Sequence, residues 1–244
     1  MKNYLTKLSM QTIILAAATF SITANAFQMT FNADGTGGYN LGAEGSAVYS
    51  TLGGSLSVNV TIDASSNVSF KFTNGDTTYG SSITDLYFGK KAEFAALFDT
   101  ASAVITSSTG VSYSKDANPG DIPGSGNNFA AFSMDSNNGS PGVMQNGINT
   151  TDEWLTVTFG QISNPAKTLA DIESAFTSGD LKIYAHVQSI DTTNISGATS
   201  TSQWFGAPGT SASAPGVPVP EPSSLALLAL GLACVGFSRR MARK

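Results

Sequence analysis

Residues 56–72, LSVNVTIDASSNVSFKF, contain two alternating segments on either side of a polar turn. Apolar side chains occupy every second position of 56–62, and the same alternation follows in 68–72. The residues between them, 64–67 (ASSN), are typical of a turn. Because successive side chains of a strand point to opposite faces, this pattern predicts a β-hairpin with one apolar and one polar face.

The alternation recurs along the chain and indicates the fold class. Residues 155–159 and 181–187 alternate apolar with polar side chains, and 83–88 and 129–134 are further predicted strands. Each strand should have one apolar and one polar face, as in an antiparallel sheet packed on one side. Eight to ten such strands, joined by Gly/Asn/Pro-rich loops, predict an all-β fold, an antiparallel β-sandwich of jelly-roll-like type.

Helix signals are few. Thr168 is suited to cap a helix that begins at Leu169, with Asp171 as the acidic residue at position N3 and Gly179 at the end. Residues 91–98 (KAEFAALF) form a second candidate. The sequence therefore predicts one or two short helices beside the sheets.

Composition narrows the classes of protein that the chain can represent. Of its 244 residues only 12% are charged, against about 25% in a typical soluble domain. A helical bundle or coiled coil needs more Glu, Lys, Arg and Leu. One Cys and one His exclude an internal disulfide framework and every Cys/His zinc site.

The N-terminus is typical of a secretory signal peptide, residues 1–26. Lysines at positions 2 and 7 precede an apolar run, 12–22, and Ala24 and Ala26 provide small residues at the −3 and −1 positions. Cleavage after Ala26 would leave Phe27 as the first residue. An uncleaved anchor helix is the alternative, but the run is short for roughly 30 Å of hydrocarbon.

The C-terminus has three parts in a fixed order. A Ser/Thr/Gly/Pro-rich linker is predicted at 196–219, after an ectodomain at 27–195. Pro220-Glu221-Pro222 and an apolar stretch come next. The chain ends in a basic cluster: Arg239, Arg240, Arg243 and Lys244. Positive charge beside an apolar segment stays cytoplasmic, so we expect a short inner-membrane anchor with the ectodomain outside. A C-terminal core helix is the alternative.

Residues 219–244, VPEPSSLALLALGLACVGFSRRMARK, resemble the PEP-CTERM sorting signal. Pro220, Glu221 and Pro222 match the motif, and Arg239 and Arg240 match its basic cluster. The resemblance implies that the chain is a substrate of an exosortase, a membrane-embedded cysteine transpeptidase-like enzyme. It also implies cutting near the motif, followed by release or transfer to the cell surface of a bacterium that makes exopolysaccharide. Several ectodomain stretches resemble those of other PEP-CTERM proteins more loosely.

The part that would be exported is acidic. Residues 27–222 hold all 17 acidic residues and six lysines, a net charge of −11. That charge, without a basic cluster, excludes nucleic acid as a partner. The single cysteine, Cys234, lies in the apolar tail, so the ectodomain has no thiol.

Candidates for catalysis are weak. His186 is the single histidine and falls on the polar side of a predicted strand, so the sequence indicates a strand histidine and not part of a hydrolytic triad. Glycoside hydrolysis needs two carboxylates about 5–9.5 Å apart. The nearest pairs in the sequence are Asp152-Glu153 and Asp171-x-Glu173, and neither has the expected geometry. We therefore predict no enzyme, with a secreted hydrolase as the lesser alternative.

Candidates for binding are turns and aromatic residues. Asp135 and Asn137 in one loop, like Asn32 and Asp34 in another, place oxygen ligands at alternate positions beside glycine, a pattern that Ca²⁺ can use. Plain turns are the alternative. Trp154 and Tyr184 fall opposite the apolar faces of their strands and are candidates for stacking on sugars. No other cofactor is expected.

These observations lead to one functional expectation. The chain is expected to be an exported surface or matrix protein, sorted by an exosortase after transient retention in the inner membrane. Its ectodomain would be structural or adhesive and associated with exopolysaccharide. A carbohydrate-binding or Ca²⁺-dependent lectin-like module is the alternative reading.

Overall fold

Two antiparallel sheets face each other across an apolar interior. The computed structural model describes residues 26–33, 43–122, 129–136, 144–191 and 202–207, which all belong to one unit, 25–217. The five-stranded sheet has the order β1-β3-β4-β9-β6 and the six-stranded sheet the order β2-β11-β10-β5-β8-β7. The predicted antiparallel β-sandwich is confirmed, and from β4 onward the chain crosses repeatedly between the sheets.

The strand bounds follow the chain order. The five-stranded sheet contains β1 (Ala26–Thr30), β3 (Leu56–Ile62), β4 (Val68–Asn74), β6 (Phe98–Ser107) and β9 (Trp154–Gln161). The six-stranded sheet contains β2 (Asn32–Ala33), β5 (Ser82–Gly89), β7 (Ser114–Lys115), β8 (Phe132–Asp135), β10 (Lys182–Gln188) and β11 (Gln203–Ala207). The strand predicted at 129–134 is thus shorter and begins later, and β6 was not predicted.

The hairpin of β3 and β4 is confirmed in the predicted place. Val58 lies opposite Phe72, and both side chains are buried. At the turn, the Asp63 carboxylate accepts hydrogen bonds from the backbone N–H groups of Ser65 and Asn67, at 2.8 and 2.9 Å. The alternation fixes the register, because a slip by one residue would turn the apolar set to solvent.

Phenylalanine rings join the two sheets. The Phe70 ring, on β4, packs edge-on against Phe88 of β5 at 5.3 Å and against Phe159 of β9 at 5.9 Å between centroids. Phe88 in turn meets Phe159 at 5.3 Å. All three side chains are fully buried. Edge-to-face aromatic pairs add to the apolar burial that holds a sandwich together.

Three α-helices accompany the sheets in the described residues: α1 (Ala43–Ser55), α2 (Lys91–Leu97) and α3 (Leu169–Thr177). A 3-10 helix spans Met144–Asn146. The two predicted helices correspond to α2 and α3. Thr168 caps α3 as predicted, with its hydroxyl accepting from the Asp171 N–H and the Asp171 carboxylate accepting from the Thr168 N–H. Helix α1 was not predicted, because its sequence, AEGSAVYSTLGGS, shows no apolar stripe and has two glycines in its last turn.

The six-stranded sheet is covered on both sides, contrary to the prediction of one polar face per strand. Every residue of β5, β8 and β11 is buried. The segments on either side of residues 123–128 lie over the outer side of this sheet. Together with outward side chains of the sheet they form a second apolar cluster, here called the outer cluster. It consists of Tyr87, Ala117, Ile122, Tyr184 and Trp204, with Phe129 and Ala130 packed against it.

Strand β11 places the end of the ectodomain later in the chain than predicted. The residues QWFGA lie inside the range 196–219 that composition assigned to a linker, yet they pair with β10 and β2. Trp204 is 3% exposed and Phe205 is fully buried. The boundary predicted at residue 195 therefore omits a strand of the six-stranded sheet. Polar neighbours dominated the composition of that range and hid a five-residue apolar strand.

No helix among the described residues is long and apolar enough to cross a membrane. The apolar segment of the predicted anchor, 223–238, and the signal segment, 1–25, lie outside the residues that the structure describes.

Candidate functional site

Polar residues of the six-stranded sheet meet in one row across its outer side. Direct cross-strand pairing places Trp204 beside His186, His186 beside Asp85, Asp85 beside Asp135, and Asp135 beside Ser114. We call these five residues the cross-strand row. Sequence reasoning missed it because the row joins five strands that are far apart in the chain. The available signal was an aspartate at an outward position in each of two apolar strands, ITDLYF and FSMD.

His186 is fixed by two neighbours of the row. Its Nδ1 lies 2.8 Å from Oδ2 of Asp85, and its ring stacks on Trp204 at 4.6 Å with an interplanar angle of 13°. Asp85 is 2% exposed and also accepts a hydrogen bond from the Thr84 hydroxyl at 2.7 Å. The predicted strand position of His186 is correct. Because the acceptor is buried, this pair orients the ring and links β5 to β10.

Asp135 does not lie in an open loop. It is the last residue of β8, is fully buried, and accepts a hydrogen bond from the Asn118 N–H at 3.0 Å. Asn137 and Asp34, which were proposed with it as oxygen ligands of Ca²⁺ sites, lie outside the described residues. In the described ranges, no group of three His, Cys, Asp or Glu side chains is placed to hold a metal ion. The calcium site therefore stays a prediction.

Tyr87 connects the row to the covering segment. Its hydroxyl donates to the backbone carbonyl of Pro119 at 2.8 Å. Burial raises the pKa of the Tyr87 hydroxyl far above its ordinary value, and the negative charges of Asp85, Asp135 and Asp121 raise it further. The phenol therefore stays protonated and remains a donor across the physiological pH range.

Tyr184, one of the two predicted sugar-stacking residues, is covered. It faces the outer side of β10, as the alternation indicated, but it is only 5% exposed. The Phe129 ring packs edge-on against it at 5.0 Å. The Lys182 ammonium lies 5.4 Å from its ring centroid. A sugar ring has no open face of Tyr184 on which to stack.

Trp154, the other predicted stacking residue, lies on the opposite side of the molecule. It begins β9 on the outer side of the five-stranded sheet and is partly exposed. The Lys71 ammonium of β4 lies 5.2 Å from its ring centroid. A partly exposed indole beside a lysine combines an apolar stacking surface with three N–H donors.

One carboxylate of each pair considered for hydrolysis accepts hydrogen bonds within its own turn or helix cap. Glu153 accepts hydrogen bonds from the N–H groups of Asn149 and Thr150, at 2.7 and 3.2 Å. Asp171 is engaged in the cap of α3, and the hydrogen bonds from Thr168 hold its pKa below the usual value. These hydrogen bonds give Glu153 and Asp171 a local structural role.

The predicted signal-cleavage residues adjoin β1. Ala24 lies outside the described residues, Ala26 is the first residue of β1, and Phe27 pairs with Val60 and is 5% exposed. Cleavage after Ala26 would therefore keep the buried part of β1, including Met29. The cleavage itself stays a prediction.

Comparison with known proteins adds one decisive match, in the C-terminal segment. Residues 218–240 match the family model of the PEP-CTERM protein-sorting motif. The chain carries a PEP-CTERM sorting motif. The matched residues contain the predicted Pro220, Glu221 and Pro222 and end at Arg240. Searches of curated proteins and of solved structures each find no match.

The PEP-CTERM motif supports an exported protein that is sorted by an exosortase. The matched segment lies outside the described residues. In sequence it begins eleven positions after Ala207, the last residue of β11. The motif therefore follows the complete described sandwich and takes no residue from it.

Proposed function

We propose that this protein is a structural or adhesive component of the extracellular matrix and is associated with exopolysaccharide. The match of residues 218–240 to the PEP-CTERM motif is the observation that carries the proposal. Export would begin with the signal at 1–26, with cleavage after Ala26. The apolar segment and the basic cluster at 239–244 would then hold the chain in the inner membrane until an exosortase cuts near Pro220-Glu221-Pro222.

The sandwich suits a matrix environment. Its exportable part has a net charge of −11 and no thiol, which favours solubility and avoids wrong disulfides in an oxidising compartment. Both edge strands of the six-stranded sheet, β2 and β7, are only two residues long. Short edge strands limit uncontrolled pairing between copies of a sheet at high concentration.

Substitutions in the motif test the sorting step. Replacing Pro220, Glu221 and Pro222 together by alanine should shift the protein from the surface and medium to the membrane fraction of the producing cells. Pro215→Ala is the matched control, because Pro215 lies in the same Pro-rich stretch but outside the matched residues. Equal sorting of the triple variant and the control would contradict the proposal.

A carbohydrate-binding module is the second candidate function, and one specific observation favours it. Trp154 is partly exposed and stands beside Lys71 on an open side of the sandwich, whereas Tyr184 is covered. Binding of the producing cells' exopolysaccharide to the purified chain, measured by retardation in affinity electrophoresis, tests this function. Loss of retardation on addition of a chelator would assign it to a Ca²⁺-dependent lectin, and retention would assign it to metal-independent binding.

A further inference from the structure

The outer side of the five-stranded sheet has a composition unlike the rest of the domain. The outward positions of its three central strands, β3, β4 and β9, alternate with buried apolar residues. They are Ser57, Asn59, Thr61, Ser69, Lys71, Thr73, Trp154, Thr156 and Thr158. We call this set the hydroxyl face. It contains one lysine and no carboxylate, although residues 27–222 carry 17 acidic side chains.

Hydrogen bonds between strands orient four of the six hydroxyl groups of this face. Ser57 pairs with Thr73, and Ser69 pairs with Thr158, each with 2.8 Å between hydroxyl oxygens. A hydroxyl has one donor hydrogen and two acceptor lone pairs, so each pair retains one donor and several acceptors. The face therefore presents fixed hydroxyl groups with spare hydrogen-bonding capacity, and no side-chain ordering is needed before they bind.

Trp154 and Lys71 give the hydroxyl face a stacking point. Lys71 is exposed and Trp154 is partly exposed, and the ammonium lies 5.2 Å from the indole centroid. In the register of the sheet, Trp154 lies opposite Thr73 and Lys71 lies opposite Thr156. The indole and the ammonium therefore adjoin the oriented hydroxyl groups on one continuous surface.

We propose that the hydroxyl face binds a polysaccharide chain made mainly of neutral sugars, with one sugar ring against Trp154. This inference rests on the proposed association with exopolysaccharide and assigns it to a surface. Charge favours a neutral ligand, because the net charge of −11 on residues 27–222 repels a polyanion. The face itself carries a single charged group, Lys71. Sugar rings offer apolar C–H faces for the indole and hydroxyl edges for the serine, threonine and lysine side chains.

The six-stranded sheet cannot offer the same surface. Its outer side is occupied by the outer cluster, in which Trp204 is 3% exposed and Tyr184 is 5% exposed. The two tryptophans of the chain therefore report on different places: Trp154 on the hydroxyl face and Trp204 on the covered side. This difference allows intrinsic fluorescence to locate the bound polysaccharide.

The experiment titrates the full chain, in a polyoxyethylene detergent without a sugar headgroup, with exopolysaccharide isolated from the producing cells. Half of the polysaccharide is treated beforehand to reduce its carboxyl groups to alcohols. The full chain should bind both preparations, with a change in tryptophan emission. Trp154→Ala should weaken binding about tenfold, equivalent to about 1.4 kcal/mol. Trp154→Phe, which leaves only Trp204 to emit, should bind without the change in emission.

Lys71→Ala provides a second variant in case Trp154→Ala unfolds, and Lys182→Ala is its matched control. Both lysines lie over an aromatic ring, at 5.2 and 5.4 Å, but on opposite sheets. Only Lys71→Ala should weaken binding. Equal affinity of the wild type, Trp154→Ala and Lys71→Ala would overturn the assignment of the face and leave the association with exopolysaccharide intact.

The remaining outcomes are also decisive. Loss of binding after carboxyl reduction would overturn the neutral-sugar ligand. Failure of the wild-type chain to bind either preparation would overturn the association with exopolysaccharide itself. Sorting is measured separately through the variants of Pro220-Glu221-Pro222, so the two failures can be told apart.

Discussion

At the residue scale, Asp76 shows how a buried charge can organise a loop. Its carboxylate is 9% exposed and accepts hydrogen bonds from the N–H groups of Thr78, Tyr79 and Ser81 and from the Ser81 hydroxyl. Burial raises the pKa of Asp76, but these hydrogen bonds outweigh burial, and the pKa lies below its ordinary value of 3.8. The ionised carboxylate therefore stabilises the turn between β4 and β5.

Asp76→Asn should lower the free energy of unfolding by about 1–3 kcal/mol at pH 7. The backbone N–H groups that now donate to the carboxylate would lose one acceptor oxygen and face the N–H₂ group of the amide instead. A group with a lowered pKa contributes stability above its unfolded pKa and loses it as the pH falls through the folded value. The difference from wild type should therefore shrink as the pH falls from about 4 towards 2. Urea unfolding across pH measures it.

Asp152→Asn is the control for this prediction, since Asp152 is an exposed carboxylate in the turn before β9. It should leave the free energy of unfolding nearly unchanged. A loss for Asp76→Asn that stays constant from pH 7 to pH 2 would show that the ionised form is not what stabilises the loop.

At the element scale, the sequence predicts a strand and its two faces best where no distant segment of the chain packs on it. The hairpin of β3 and β4 could be read from alternation because one side of the five-stranded sheet faces solvent. Strand β5 was also predicted, at 83–88, but the burial of its outer side was not. Asp85 and Tyr87 look like residues of a polar face in the sequence, whereas both are buried in the structure. Strand β11 was missed because its five residues are surrounded by Ser, Thr, Gly and Pro, and only pairing with β10 shows that they form a strand.

The candidate sites also differ in whether local sequence is enough to predict them. The sorting motif is a linear pattern, so Pro220, Glu221 and Pro222 could be found from the sequence and the family model agrees. Exposure of Trp154 and burial of Tyr184 depend on which side of the sandwich is covered. The sequence placed both opposite their apolar neighbours, correctly, but could not show that Phe129 lies on one of them.

Two adjacent glycines of α1 test how closely that helix packs. A Cβ atom on Gly53 would lie 2.6 Å from the backbone oxygen of Phe31, whereas one on Gly54 would meet nothing within 4 Å. Gly53→Ala should therefore lower the free energy of unfolding by about 1–3 kcal/mol. Gly54→Ala should raise it by about 0.5–1 kcal/mol, because alanine loses less backbone entropy in a helix.

Thermal and urea unfolding of the two variants measure the difference. The substitutions are chemically identical and one position apart, so each controls for the other. Equal effects would mean that α1 does not approach the segment around Phe31 as closely as the structure shows.

At the scale of the whole molecule, the two outer sides of the sandwich differ in how far they are covered. One is closed by the chain itself, over the cross-strand row, and the other is the open hydroxyl face. Strand β11 packs on both sides of its sheet. Trp204 stacks on His186 on the covered outer side at 4.6 Å, and Phe205 meets Tyr49 edge-on in the interior at 6.3 Å. Strand β11 is therefore part of the core and not a tether to the sorting motif.

A pair of truncations tests this conclusion. A chain of residues 27–217 should unfold in one cooperative transition, whereas 27–195 should lose it. Removing a buried large aromatic side chain costs about 3–5 kcal/mol, and β11 contains two, against a total stability of about 5–15 kcal/mol for a typical domain. Near-ultraviolet circular dichroism during heating measures the transition. A native-like transition for 27–195 would contradict the assignment of β11 to the core.

The central claim is that the PEP-CTERM motif is cut during sorting, and the intact mass of the protein from each cell fraction tests it most directly. The account predicts that the surface or medium form begins at Phe27 and ends near residues 219–222, with or without a covalent addition at its new end. Recovery of a chain that reaches Lys244 and remains in the membrane fraction would contradict it, because the C-terminal segment would then be a permanent anchor.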